Sequence, residues 1–307
     1  MYVPEKVVTN DDLAQLVDTN DEWIQKRVGI KERRIAVTET TADMGYEAAK
    51  AALDNAGISP DELDLILGAT VSGDDISPSL ACMVQNKLGA TCLAYDVNAA
   101  CSAFLFLLET AAGYFARGAK NVLVVGAERM SRIVDWSDRG TCVIFGDGAG
   151  ACVLSAGDNY HDSIFTVRGG DDVIKIPAAP GKSPFWQGET PEPFVRMNGQ
   201  ETFKYAVTAI ANDVNALLER NNLTLDDIRW IVPHQANYRI IESASKRGGI
   251  PMEKFYLNID RFGNTSSASV PIALDELNRA GKLDRGDKII LTAFGGGLAN
   301  AACLLTW

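Results

Sequence analysis

Two hydrophobic periods alternate along the chain. Short apolar runs, among them Leu65-Ile66-Leu67, Asn121–Gly126, Trp230-Ile231-Val232 and Lys288–Ala293, read as buried strands, and longer segments of helical period separate them. Over 201–221, Phe203, Ala206, Val207, Ile210, Val214, Leu217 and Leu218 fall on one stripe, which predicts an amphipathic helix. Segment 101–117 differs. Ser102-Ala103-Phe104-Leu105-Phe106-Leu107-Leu108 is apolar nearly all round, with Gly118 as a stop, so this helix is expected to be buried on every side. Such a helix must lie between sheets, and the pattern predicts a layered α/β sandwich with helices in the middle as well as outside.

The pattern occurs twice. Leu53–Leu67 parallels Leu218–Val232 at an offset of 165 residues: a helix end, a turn with an Asx or Ser/Thr signal, then a strand. Helix 101–117 followed by strand Asn121–Gly126 is echoed by helix 267–280 followed by strand Lys288–Ala293. A glycine-rich turn and a last apolar strand close each half: Gly146-Asp147-Gly148-Ala149-Gly150 into Ala151–Ala156, and Phe294-Gly295-Gly296-Gly297 into Ala301–Trp307. Three segments in one order predict a duplication, with residues 1–160 as one half and 161–307 as the other. Segment 156–196, rich in Gly, Pro and Asp, breaks the pattern and reads as linker and surface loops.

At 307 residues and 47% apolar content the chain can bury two cores of roughly 150 residues each. No apolar run approaches the roughly 20 residues of a membrane span. Met1–Lys6 lacks the apolar region of a signal peptide, so the expected location is cytoplasmic, with no membrane partner. A net charge of −11 disfavours nucleic acid, and an anionic partner must find a local basic patch. The six cysteines, at 82, 92, 101, 142, 152 and 303, form no Cys-x-x-Cys pair and have no histidine neighbours; neither zinc nor disulfides are expected.

Cys101 stands between strand Leu93–Val97 and the first turn of the buried helix. There the unsatisfied N–H groups are expected to lower its pKa and favour a thiolate. Of the two histidines, His161 lies in a polar segment read as surface loop. His234 directly follows the apolar strand Trp230–Pro233 and precedes a helix start at Gln235-Ala236-Asn237, so it is the candidate for chemistry. Asn264 lies in a loop of small residues, as a turn or cap residue or as a positioned donor. Gly295-Gly296-Gly297 allow backbone to approach a ligand closely and to present N–H groups to an oxyanion, or form only a tight turn.

Together these segments carry a specific resemblance. Asp96-Val97-Asn98-Ala99-Ala100-Cys101-Ser102-Ala103-Phe104, Val232-Pro233-His234-Gln235-Ala236-Asn237, Gly263-Asn264-Thr265-Ser266-Ser267-Ala268-Ser269 and Phe294-Gly295-Gly296-Gly297 resemble the signatures of the β-ketoacyl-acyl-carrier-protein synthase III family, in its order and over the whole chain. The resemblance implies a thiolase-like, five-layered α-β-α-β-α sandwich. It implies a homodimer that starts fatty acid synthesis from an acyl-CoA and malonyl-acyl-carrier protein and uses no metal or cofactor beyond the CoA thioester substrate. Cys101 would be the acylated nucleophile. His234 and Asn264 would bind the malonyl thioester oxygen during loss of CO2, with the N–H of Cys101 or Gly296 as oxyanion donors. Trp23, Arg27 and Arg139 would bind the adenine and phosphates of CoA, with Asn237 also at the substrate. Lys204, Arg239, Lys246 and Arg247 would dock the acidic carrier.

Two departures stand out. The family begins with a strand ahead of Tyr2-Val3-Pro4; without it, sheet-edge backbone groups are expected to be unpaired. Ser77 replaces a bulky aromatic found in some members beside the partner's acyl pocket, which suggests room for longer or branched primers. Rival readings fit less well. Elongating condensing enzymes pair Cys with two histidines, and thiolases place a second Cys near the C-terminal glycines. The papain-type Cys signature is missing at Cys101. The Gly146–Gly150 run leads into a strand, not the helix of a dinucleotide site. A related synthase of polyketide or quinolone products shares the Cys, His and Asn.

Overall fold

A computed structural model describes residues 1–178, 183–189 and 191–307. A short N-terminal layer holds β1 (Val7–Thr9), α1 (Asn10–Leu13), α2 (Asp21–Val28) and β2 (Glu32–Arg34). Then come α3 (Thr41–Ala56), β3 (Leu65–Ala69), α4 (Leu80–Leu88), β4 (Leu93–Asp96), α5 (Ala103–Phe115), β5 (Asn121–Arg129) and β6 (Asp147–Ser155). The second half has β7 (Tyr160–Val167), β8 (Ile174–Lys175), β9 (Arg196–Met197), α6 (Gly199–Arg220), β10 (Ile228–Pro233), α7 (Tyr238–Gly248), α8 (Ile259–Phe262), α9 (Ser269–Arg279), β11 (Lys288–Gly295) and β12 (Ala299–Thr306).

The two main sheets have the orders β4-β3-β5-β6 and β10-β11-β12-β7. In each, two parallel strands (β3 with β5, β10 with β11) are followed by an antiparallel one (β6, β12). The correspondence extends to the edges. Parallel to β10, Phe255 bridges Ile231 where β4 lies in the first sheet, and Tyr2 bridges Ala149 of β6, antiparallel, where β7 lies in the second. Tyr2 and Ala149 exchange both backbone hydrogen bonds at 2.8 Å. Beyond that pair, from Ala151 to Ser155, no strand covers the outer edge of β6 among the described residues.

Core packing sets the layers. The central cluster joins Leu65, Leu67 and Val124 of the first sheet through Phe104, Leu107 and Ala111 of α5 and Ala273 and Leu277 of α9 to Leu291 and Ala301 of the second. An outer cluster packs α3 and α4 on the opposite face of the first sheet, and another packs α6 and α7 on that of the second. The order is α-β-α-β-α. Each sheet reads as nearly continuous apolar strand because both faces are covered. Helix α5 is buried along Ala103–Leu105, Leu107, Leu108 and Ala111, although Glu109 reaches the exterior, where Tyr160 Oη and Ser163 Oγ bond it.

Three expectations need correction. Segment 156–196 is not all linker: Tyr160–Val167 is strand β7, paired with β12, and a short β8–β9 ribbon follows. Its two-faced burial is shallow, so the polar residues on its exposed side hid the strand. His161 accordingly sits on an exposed strand, with Nε2 2.7 Å from Thr306 Oγ1. The run Gly146–Gly150 is not a turn, because β6 already starts at Asp147. Gly150 is there because a Cβ would come within 2.7 Å of Pro271 Cβ at the start of α9.

The fully buried Leu105 tests the central layer. Leu105→Ala is expected to cost about 2–5 kcal/mol in urea unfolding; a loss below about 1 kcal/mol would be inconsistent with a helix packed between two sheets.

Candidate active site

Strand β4 ends at Asp96, and the chain reaches α5 through a tight turn at Ala100–Ser102 that carries Cys101. Ala100 holds a left-handed backbone at φ 49°, an uncommon state for a residue with a Cβ. Gly295, the last residue of β11, touches this turn: a Cβ there would lie 2.8 Å from Cys101 N. Gly296 faces Ala100 and Ile174 instead, so the glycine against the cysteine backbone is Gly295. Cys101 lies deep in the protein but keeps part of its surface open to a cavity. Burial pushes its thiol up to about 12, with the Ser266 hydroxyl acting the other way. Desolvation thus acts against the thiolate-favouring shift expected at a helix start.

His234 is placed by β10. Its N–H bonds Thr292 O of β11 at 2.7 Å, and Gln235 fixes the next turn by donating to Pro233 O and Tyr256 O. The ring is 1% exposed, and its Nδ1 lies 2.6 Å from Ser269 Oγ at the start of α9. Desolvation lowers its pKa to about 3, so the imidazole is neutral at physiological pH. Asn264 is pinned through its backbone between Ile144 O and Gly146 N, and its Oδ1 accepts from Ser266 N–H at 2.8 Å. That leaves the Nδ2 amide, which has no acceptor among the described residues.

Cys101, His234 and Asn264 line one cavity of about 320 Å³, together with Arg27, Asn237, Arg239, Gly295 and Gly296. Asn237 also caps α7, accepting from Arg239 N–H at 2.8 Å. Trp23 lies on α2, which Asn20 caps at its start and Gly29 ends in a left-handed turn. Two guanidinium groups stack on the indole, Arg139 at 5.2 Å and Arg27 at 5.7 Å from its centroid, and Arg139 also bonds Asp18 O. Trp23 and Arg139 therefore stand beside the cavity lining, not in it. In the basic group, Lys204 and Lys246 pair with Glu201 and Glu242 on their own helices. Arg239 and Arg247 have no ion pair among the described residues. A second cavity of about 630 Å³ lies behind Ala100 and Gly296; Ile76, not Ser77, lines it. No three His, Cys, Asp or Glu side chains converge as a metal site among the described residues.

The sequence and the fold resemble those of known proteins. The family model for the C-terminal part of 3-oxoacyl-[acyl-carrier-protein] synthase III matches residues 218–307, and the companion model of that synthase matches 95–172. The β-ketoacyl-[acyl-carrier-protein] synthase III of Clostridium acetobutylicum is 48% identical, covering all of this chain and 96% of the relative. The chain belongs to the β-ketoacyl-[acyl-carrier-protein] synthase III family. It is a condensing acyltransferase with the thiolase fold. The crystal structure of the 3-oxoacyl-[acyl-carrier-protein] synthase III of Aquifex aeolicus superposes with a TM-score of 0.93 at 44% identity, covering 100% of this chain and 97% of the other. A priming β-ketosynthase of the R1128 polyketide pathway superposes with a TM-score of 0.91 at 34% identity, covering 99% and 93%.

Four residues that act on the site escaped the sequence reading: Ser269 beside the imidazole, Ser266 beside the thiol, Ala100 with its strained backbone, and Glu128. Only Glu128 carried a signal, an acidic residue inside the apolar run of β5.

A folded pKa near 3 for His234, against about 6.5 when unfolded, has a definite sign. Its contribution to stability is complete above the unfolded value and is lost as pH falls towards 3, where the folded ring protonates. Imidazole nitrogen NMR shifts are expected to stay those of a neutral ring from about pH 8 down to about pH 5; a protonation midpoint inside that interval would contradict the desolvated site.

Proposed function

We propose that this synthase starts fatty acid synthesis by condensing an acyl-CoA primer with malonyl-acyl-carrier protein, through an acyl thioester on Cys101. The observation that carries the reading is the cavity shared by a nucleophilic sulfur, a neutral imidazole and an unclaimed amide donor. In the first step the Cys101 sulfur attacks the acyl carbon and CoA leaves as its thiol. In the second, the malonyl thioester loses CO2, its α-carbon attacks the Cys101 thioester, and the carbon–carbon bond forms as the Cys101 sulfur departs.

His234 and Asn264 serve the second step. Ser269 Oγ lies 3.3 Å from Gln235 N–H and accepts from it, so its hydroxyl proton is available to His234 Nδ1. In this reading the ring proton sits on Nε2, where it donates to the malonyl thioester oxygen beside Asn264 Nδ2. The N–H of Cys101, against Gly295, and that of Gly296 serve the acyl oxygen. Donors fixed in a desolvated pocket stabilise the enolate charge more than water does. The chemistry needs no metal or other cofactor.

The CoA end fits the Trp23–Arg27–Arg139 stack, with its guanidinium groups for phosphate and its indole for the base. Asn237 and Arg239 border the entrance. Carrier docking falls to Arg239 and Arg247, and Lys204 and Lys246 assist once their helix partners release them. A nucleophile-bearing half, residues 1–160, and a half with His234 and Asn264, residues 161–307, complete the reading, supported by the matching sheet orders, with Tyr160 already in the second sheet. The second cavity would seat the primer, and a homodimer in the cytoplasm is part of this reading. No helix among the described residues is long and apolar enough to cross a membrane. The polyketide alternative rests on the R1128 enzyme, whose identity of 34% is lower than the 48% of the Clostridium enzyme.

Cys101→Ala is expected to abolish acyl-enzyme formation from acyl-CoA on intact-protein mass spectrometry. His234→Ala and Asn264→Ala should still acylate but lose about 10²–10³-fold in condensation; loss of acylation in both would move them to the first step. Arg247→Glu is expected to raise KM for malonyl-carrier protein while acyl-CoA kinetics stay as they were, and an unchanged KM would remove this patch from docking.

A further inference from the structure

The reaction just described leaves one buried carboxylate unused. Glu128 lies on β5 with no exposed surface. Its Oε2 accepts from Thr70 Oγ1 at 3.1 Å, Val71 N–H at 3.0 Å and Ser72 Oγ at 2.5 Å. Its Oε1 accepts from Ser267 Oγ at 2.7 Å and Ser267 N–H at 3.4 Å. The Ser267 hydroxyl has a second, longer contact, to Ala69 O at 3.1 Å. Both carboxyl oxygens therefore face a backbone N–H, Val71 on one side and Ser267 on the other. An amide in this place would set its NH2 against one of those N–H groups in either orientation, so the site calls for a carboxylate.

Strand β5 is shaped to receive the loop before α9. Gly126 and Glu128 stand two residues apart, on one face of the strand. A Cβ at Gly126 would come within 2.6 Å of Ser267 O, so the glycine lets the turn 266–268 sit on the strand. Glu128 then ties that turn down. The turn also packs on the turn 100–102 that carries Cys101. Ser266 holds a left-handed backbone at φ 48°, a conformation that persists only where its surroundings enforce it. Its N–H bonds Asn264 Oδ1 at 2.8 Å, which fixes the rotation of the amide whose Nδ2 the reaction uses. On its other oxygen the same carboxylate holds Val71, which lines both cavities, and Ser72, which lines the second.

We propose that Glu128 is the positioning residue of Asn264. It clamps Ser267, the clamp keeps the turn 266–268 in its left-handed form, and Ser266 N–H then holds the amide where the malonyl thioester oxygen comes to lie. The carboxylate touches neither substrate nor the reacting sulfur, and it takes up no proton in either step. Its effect falls on condensation, because Asn264 serves that step and acylation of Cys101 does not use it. A loosened core would slow both steps, whereas a misplaced amide slows condensation alone.

This inference rests on the reading of Asn264 as a donor in condensation, and a double-mutant cycle separates the two claims. Acylation of Cys101 by acetyl-CoA and condensation of the preformed acetyl-enzyme with malonyl-carrier protein are timed separately. The variants are Glu128→Gln, Ser267→Ala and Asn264→Ala, with each of the first two also combined with the third. In Glu128→Gln and Ser267→Ala, acylation is expected to stay within about twofold of the native rate, while kcat for condensation falls at least about tenfold at an unchanged KM. Added to Asn264→Ala, neither change should slow condensation further by more than about twofold. Ser267→Ala keeps every donor on Oε2 and the N–H on Oε1, so it answers even if Glu128→Gln does not fold. Native condensation in Ser267→Ala, equal losses in the two steps, or an undiminished further loss on top of Asn264→Ala overturns the positioning role and leaves Asn264 as a donor. An Asn264→Ala protein that condenses at the native rate overturns the reading of Asn264 and this inference with it.

Discussion

Helix α5 has almost no polar surface to give to water along Ala103–Leu108, and the rest of the molecule is arranged around that fact. A helix apolar on opposite sides needs a sheet against each of them, and each sheet then needs outer helices on its far face. Helix α9 shares the middle layer because one helix cannot span the width of two four-stranded sheets. Cys101 lies in the turn that leads into this buried helix, so the packing that holds the fold together also determines how dry its sulfur is.

Dryness changes the chemistry in one direction for every group. It raises the thiol of Cys101 and lowers the imidazole of His234, so both rest in their neutral forms. Burial therefore works against a resting thiolate–imidazolium pair. In the proposed reaction, fixed donors such as Asn264 Nδ2 and the N–H of Cys101 would then act without competition from water. The expectation of a low thiol pKa counted the helix end and not the burial that pushes the thiol the other way.

What was legible in the chain follows from which constraints are local. The all-round apolarity of α5, the stripe of α6 and the repeat at 165 residues are periodic features, and they identified the layers and the duplication. Strand β7 was missed because its period is masked by polar residues on both faces: His161 is exposed, and Asp162 is half-buried and bonded by Arg220 and Asn221. The glycines of β6 looked like a turn because the residue they make room for, Pro271, lies more than a hundred positions away. Cys101, His234 and Asn264 could be named from their motifs, whereas Ser269 and Ser266 acquire meaning only when the loop before α9 folds onto β5. A serine in a run of serines has no periodicity to betray it.

Duplication also explains why the site sits where it does. Helices α5 and α9 are equivalent elements of the two halves, and the turns that precede them, 100–102 and 266–268, pack on each other. Their N-terminal ends therefore meet at one cavity, each bringing unsatisfied N–H groups and the positive end of a helix dipole. One half uses its turn to present a sulfur, and the other uses Ser269 to orient the ring carried by β10. The positive ends point where negative charge would develop in both proposed steps. The matching arrangement of the two halves thus brings both helix starts to one cavity, and divergence between the halves leaves Cys101 on one side and His234 and Asn264 on the other.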